Sequence, residues 1–343
     1  MTKSTLYRYK CRCGACDFLC LQEQRATCRH CLASYPRSPG GVIALQKETT
    51  EQNEFFDAIY QSGRSHQTPQ FSRELTDPYH RMIAEAYLNN CGLALDSPLE
   101  NRDLLEVACG AGSLSAAMLP HPAVRNCTFH AFDISPHGPE MLARFACTVN
   151  SSNLLELSVQ DARGMLFDDS TFDVVWGNSV LHHLDDLAGF LTDCKRILKP
   201  GGVLTFGEPF AVGYGLGYAV LKIAQVQLGT QYETLDNAYN GIARRIKSRG
   251  DEFAGLVDKH LFFQPALINL GRQIGFESVN LFSVPSYHYY QNSFIDALLT
   301  GMRISDSCLA QAGKELYRTI VDLFDADSLV YSLGAFMQIA MRA

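Results

Sequence analysis

"LLEVACGAGSLS", residues 104–115, runs from an apolar segment straight into a glycine-punctuated turn and then a helix-forming stretch. A buried strand followed by glycines lets the backbone approach a ligand, and that outline serves hydride, phosphoryl and methyl transfer alike. The residues inside the turn discriminate between them. A dinucleotide fingerprint wants a third glycine, but Gly110 and Gly112 are followed by Ser113, Leu114 and Ser115. A P-loop wants Lys followed by Ser or Thr after its glycines, and no lysine is near. Glu106, at the strand end, is unfavourable beside a pyrophosphate and useful beside a cation. A ligand with a positive amino-acid end and a ribose, but no phosphate, fits these residues.

Outward from this turn, residues 103–208 alternate strand and helix. "DLLEVA" reads as the first strand, "CTFHAFD" as the second, "LLELSVQD" as the third, "FDVVWGN" as the fourth and "VLTFGEP" as the fifth. Helix-length crossovers between them imply a parallel sheet covered on both faces. Ligands in such sheets bind at the carboxyl ends of the strands. Glu106, Gly110, Gly112, Asp133, Asp161, Asn178 and Glu208 all fall at those ends.

These motifs resemble the class I S-adenosylmethionine-dependent methyltransferases, in their small methyltransferase-domain branch. "LEVACGAGS" resembles the first motif, with Ala108 where many members have glycine; "FDIS", "QDA" and "FDVVWGNSVLHHL" resemble the later ones. The resemblance implies an α/β, Rossmann-like sheet of seven strands with helices on both faces. It implies S-adenosylmethionine as cofactor, held by Glu106, Ala108, Gly110, Gly112, Asp133, Ile134, Asp161, Ala162 and Asn178. Asp133 would accept both ribose hydroxyls, and Asp161 the adenine amino group. His182 and His183 follow the fourth strand, near where the methyl would sit. His183 is the candidate proton acceptor, although transfer from a sulfonium often needs only in-line positioning.

The N-terminal segment carries a second chemistry. Six of the 12 cysteines fall between Cys11 and Cys31. Cys13 and Cys16 form one CxxC pair and Cys28 and Cys31 another, the spacing of two knuckles around a tetrahedral zinc. Cys11 or Cys20 are possible substitutes. Four thiolates leave the metal no open position, so the ribbon is expected to be structural. "CLASYPRSPGGVIAL" reads as a hairpin closing this unit near Leu45. The expected organisation is a ribbon over 1–45, a linker and covering helices over 46–102, and a methyltransferase domain over 103–343. Asp77 is a plausible N-cap in the middle part, with Pro78 at the first helical position.

Two insertions, at about 209–261 and 285–328, are expected to form a mainly helical cap over the cofactor. Tyr214, Tyr218, His288 and Tyr289 are candidates to line an acceptor pocket there, or else ordinary core of the cap. Composition narrows the partners. The net charge of -7 leans away from nucleic acid, which usually needs a basic face. No basic-then-apolar leader opens the chain, and the apolar run Pro209–Leu221 is too short to span a bilayer, which points to a cytoplasmic protein. The expected substrate is a small or medium-sized metabolite. The alternative is a ribosomal or transfer RNA base, with the ribbon recognising RNA through Arg25, Arg29 and Arg37. The acceptor atom and the oligomeric state are not written in the sequence.

Overall fold

The computed structural model describes residues 9–15, 18–22, 24–46, 54–58, 84–89, 99–248, 260–283, 287–321, 323 and 336–343. Near the N-terminus, β1 (Phe18–Gln22), β2 (Arg25–Cys28) and β3 (Ser34–Pro36) form an antiparallel sheet. β4 (Ile43–Ala44) leaves it for the large sheet. Residues 54–58 and 84–89 are helical. Asp77 and Pro78 lie outside the described residues.

The alternating region follows. β5 (Leu99–Glu100) precedes β6 (Asp103–Val107), which runs into α1 (Ser113–Met118); β7 (Val124–Arg125) pairs with β5. Then come β8 (Thr128–Asp133), α2 (His137–Ala146), β9 (Leu154–Val159), β10 (Phe172–Asn178), α3 (Leu187–Ile197) and β11 (Leu198–Pro209). The C-terminal part adds α4 (Ala211–Gln227), α5 (Glu233–Ser248), α6 (Gln264–Ile274), β12 (Ser278–Ser283), α7 (Tyr287–Gly301), α8 (Ser307–Val321) and β13 (Phe336–Arg342).

The large sheet has the order β12-β13-β11-β10-β6-β8-β9-β4. Its seven expected strands are all present, parallel except that β13 runs antiparallel to both β11 and β12. The eighth was not expected. Ile43 and Ala44 pair with Ser158 and Val159 in parallel, and Leu45 and Gln46 donate their N–H groups to Val159 O. The anticipated closing hairpin is reduced to one bridge, Arg37 to Ile43, because β4 finds its ladder on the sheet edge instead.

Alternate residues of the central strands feed opposite faces, as the pleat requires. Leu105, Val107, Val175 and Phe206 enter one core, which also contains Tyr9, Cys11, Cys28, Tyr35 and Leu45. Leu104, Val174, Trp176 and Val203 enter the other, under α1 and α2. The N-terminal unit thus shares its apolar core with the sheet. The cap does not: Val220, Leu221, Leu235, Ile295, Leu309 and Tyr317 of α4, α5, α7 and α8 form a third cluster. The run Pro209–Leu221 enters α4, and no helix among the described residues is long and apolar enough to cross a membrane.

Candidate functional site

The turn after β6 is built around left-handed backbone. Ala108 has φ 48°, Gly110 φ 54° and Gly112 φ 77°. Only glycine takes such angles without strain, so two of the three positions carry the residue the geometry asks for. The turn is also pressed from outside. A Cβ on Gly138, at the start of α2, would lie 1.5 Å from Gly110 O, so the helix approaches the turn backbone to backbone.

Two acids converge here. Glu106 Oε2 accepts from Ser115 N at 2.9 Å, and Asp133 Oδ2 accepts from Gly110 N at 2.8 Å. Asp133 Oδ1 accepts from Ser135 N at 2.9 Å, while Ser135 Oγ accepts from His137 N. Both carboxylates are buried, and burial dominates their titration: Glu106 is pushed up to about 7 and Asp133 up to about 6. The charge of Asp57, on helical residues 54–58, adds to the upward push on Asp133. Asp57 Oδ1 is itself buried with no hydrogen-bond partner among the described residues. Buried carboxylates whose charge is penalised by burial suit a ligand that brings an ammonium group and a vicinal diol.

The outer positions differ in how free they are. Asp161 caps the turn Ala162–Gly164, and both its oxygens bond Arg163, at 2.5–3.0 Å. An adenine amino group would share that carboxylate with Arg163. Ala162 is buried beside it, and Ile134 is half-buried after Asp133. Asn178 Oδ1 accepts from Tyr87 Oη at 3.0 Å, and the same hydroxyl reaches Gly177 O at 2.8 Å. Tyr87 and Gly138 escaped sequence reading because their roles come from contacts distant in the chain.

At the ends of β10 and β11 the arrangement is more closed. Glu208 is fully buried; its Oε1 accepts from Val180 N and Leu181 N, both at 2.7 Å. Its Oε2 lies 2.7 Å from His182 Nδ1. The His183 ring packs 4.0 Å from that of His182 and 5.6 Å from Phe56. The carboxylate contact is therefore made by His182, whereas His183 was the sequence candidate. Tyr214 packs edge-on to Phe294, and Tyr218 joins the same cap cluster, where burial raises its phenol. His288 and Tyr289 fall in the first turn of α7, and their side chains lie outside the described residues.

In the N-terminal unit, Cys11, Cys13, Cys28 and Cys31 bring their Sγ atoms within 4.8 Å of one another. Cys11, expected only as a substitute, completes this group. Cys16 lies outside the described residues, as does the side chain of Cys20. Four converging thiols, two of them buried, are a donor set that fits tetrahedral zinc.

Residues 105–206 match a family model described as "Methyltransferase domain". The chain is 29% identical over 189 residues to a phthiotriol/phenolphthiotriol dimycocerosates methyltransferase of Mycobacterium leprae, covering 53% of this chain and 64% of that protein. It is 35% identical over 106 residues to a demethylmenaquinone methyltransferase of Chlorobaculum tepidum, covering 31% and 40%. It is 30% identical over 117 residues to a 27-O-demethylrifamycin SV methyltransferase of Amycolatopsis mediterranei, covering 32% and 40%. The chain thus spans less than two thirds of each of these relatives. The matched segment carries the glycine turn and its acids, so residues 105–206 are similar to a methyltransferase domain.

Proposed function

We propose that the protein is an S-adenosylmethionine-dependent methyltransferase acting on a small or medium-sized metabolite. The observation that carries this is the pair of buried carboxylates, Glu106 and Asp133, flanking the left-handed turn at adjoining strand ends. S-adenosylmethionine would supply an electrophilic methyl group on a sulfonium. Glu106 would face its amino-acid end, Asp133 its ribose diol, and the backbone of 108–112 its body. Asp161 and Ala162 would border the adenine. Relatives named for quinone and rifamycin substrates favour a largely apolar acceptor over RNA. One zinc ion, held by Cys11, Cys13, Cys28 and Cys31, would keep the N-terminal unit folded without taking part in the reaction.

Replacing Asp133 with Ala tests the assignment. Cofactor binding should weaken by about 1.5–3 kcal/mol, the range of hydrogen bonds to a charged group. Calorimetry on folded protein reads it, and an unchanged dissociation constant contradicts the site. Labelled cofactor, incubated with a metabolite extract or with total RNA, then ranks the acceptors. Label in RNA with a steep salt dependence would favour the RNA reading.

A further inference from the structure

We infer that the N-terminal unit carries a second binding site, a cavity holding Arg25 and Arg37 that takes the phosphate group of a small phosphate monoester. The methyltransferase reading does not require this site, and the two stand or fall separately.

The cavity follows from how the short sheet is built. Along β2 and β3 alternate side chains point to opposite faces. Ala26, Cys28 and Tyr35 go inward, to the core shared with the large sheet. Arg25, Ser34 and Pro36 are thereby left on the outer face, and all three are exposed. Arg25 stands opposite Pro36 in the ladder, and Arg37 donates its backbone N–H to Gln24 O at 2.9 Å. Both arginines therefore sit at one end of the hairpin. With Gln24, Ser34, Pro36 and Pro39 they line a cavity of about 450 Å³.

One of the two guanidiniums is held in place. Arg37 Nε donates to Gly41 O at 3.1 Å, and a Cβ on Gly41 would come within 3.1 Å of Arg37 Nη2. Gly41, at φ 89°, thus lets the backbone lie against the guanidinium. The loop that offers this carbonyl is itself closed, since Gly41 N donates to Ser38 O and Val42 N to Ser38 Oγ. The bond to Gly41 O uses only Nε, which leaves the Nη groups of the fork for a ligand.

Charge and shape say which ligand. Arg102, Arg163 and Arg196 each meet an aspartate. Among the described residues, Arg25 and Arg37 have no carboxylate partner, and no acid lines their cavity. Two unneutralised guanidiniums in one cavity repel each other, a cost that an anion between them removes. A phosphate monoester matches best. It carries close to two negative charges at neutral pH and three acceptor oxygens, which suit the arginine fork. A carboxylate or a phosphodiester brings only one charge to two cations. Ser34 and Gln24 add neutral donors. The volume falls within the range of small-molecule sites, about 300–1,000 Å³, and Pro36 and Pro39 give rigid apolar walls for an organic body. A nucleic acid would instead need a basic stripe that meets many phosphates, and the chain's net charge is -7.

Phenyl phosphate, inorganic phosphate and dimethyl phosphate, titrated into the full chain at low salt and about pH 7.5, test the site. With phenyl phosphate the Nε–H resonances of Arg25 and Arg37 should shift together and saturate. Calorimetry should find one molecule bound per chain, about tenfold or more tighter than either of the other two probes. Arg25→Gln and Arg37→Gln should each weaken binding about 10- to 100-fold, the equivalent of one charge-assisted contact. If Arg37→Gln loosens the N-terminal unit by losing its bond to Gly41, Arg25→Gln carries the test, with the amide spectrum unchanged away from the cavity. Absence of a saturable shift overturns the inference, as does binding that survives the substitutions. Dimethyl phosphate or single-stranded RNA bound as tightly as phenyl phosphate would overturn it in favour of a nucleic-acid contact. Inorganic phosphate bound as tightly would overturn the monoester and make free phosphate the ligand.

Discussion

Glu106 and Glu208 are the same residue type at carboxyl ends of strands in one sheet, one strand apart, yet they are held in opposite ways. Glu106 accepts a backbone N–H from Ser115, and burial lifts it to about 7; its neighbour Asp133 is lifted to about 6. Glu208, equally buried, has both oxygens engaged by Val180, Leu181 and His182. On the side of the glycine turn, burial penalises charge that the proposed cationic, hydroxyl-bearing cofactor would relieve. The Glu208 side is closed on itself by its own hydrogen bonds. The backing differs too. Behind the glycine turn stand β4 and Tyr9, and Ile43 and Tyr9 enter the sheet's own core, whereas the cap has its own cluster.

The strongest way to break this contrast is to strip the zinc proposed at Cys11, Cys13, Cys28 and Cys31. Structural zinc in small domains contributes about 10–16 kcal/mol of apparent binding energy, which is folding energy. Stripping it should unfold residues 9–46 and release β4 from β9, whose end leads into Asp161. Lys10 N, bonded to Leu166 O at 2.8 Å, would let go of the far end of that loop as well. Hydrogen exchange should then show lost protection in β9 and weaker cofactor binding, with α4 and the end of β11 still protected. Equal loss in α4 and β11 would erase the distinction between the two sides.

The two glutamates can next be set against each other directly. Glu208→Ala orphans two buried N–H groups, at about 1–3 kcal/mol each, and should destabilise the protein with or without cofactor. Glu106 and Asp133 act through pH. Their folded values lie above the unfolded ones of 4.5 and 3.8, so the native state binds more protons between about pH 4 and 7. Their stabilising contribution is complete below that window and is lost as pH rises through about 6 to 7. The loss is on the order of 3 kcal/mol for each acid. Cofactor-free protein should therefore melt progressively earlier across this window. Glu106→Gln should remove its share of the slope, and saturating cofactor should flatten the rest. A slope indifferent to Glu106→Gln would remove the buried charge of Glu106 from this contrast.

What was legible in the sequence follows from the same physics. Strands buried on both faces leave short apolar runs, such as Val174, Val175 and Trp176 of β10, and the left-handed turn leaves its glycines. The strand-end acids could be gathered on paper because a parallel sheet gathers them. The two-residue β4 was not legible, since it is too short to show a period and its partner lies more than a hundred residues on. Nor was the choice of Cys11, because CxC and CxxC spacings both permit a knuckle until the chain path is known. That Glu208 faces His182 and not His183 was not legible either, because no local pattern encodes the direction of that carboxylate.

The smallest predicted effect asks what kind of force holds the cofactor side to its brace. Lys10 Nζ lies 3.0 Å from Asp169 Oδ1 and 3.6 Å from Asp168 Oδ1; Asp169 is exposed to water and the other two side chains are partly so. Arg196 reaches the same Asp169 oxygen at 2.7 Å, so the aspartate keeps a partner when Lys10 is removed. Exposed pairs of this sort contribute roughly 0.2–1 kcal/mol, and salt screens them. The backbone bond from Lys10 N to Leu166 O survives any side-chain change. Lys10→Ala should therefore cost less than about 1 kcal/mol in denaturant unfolding at low salt, and less still at high salt. Cofactor affinity should not move measurably. A larger cost, or a cofactor affinity that falls with Lys10→Ala, would mean that charge rather than strand pairing and shared core holds the N-terminal unit against the sheet. The contrast with the separately packed cap would then rest on two exposed ion pairs, which added salt would be enough to undo.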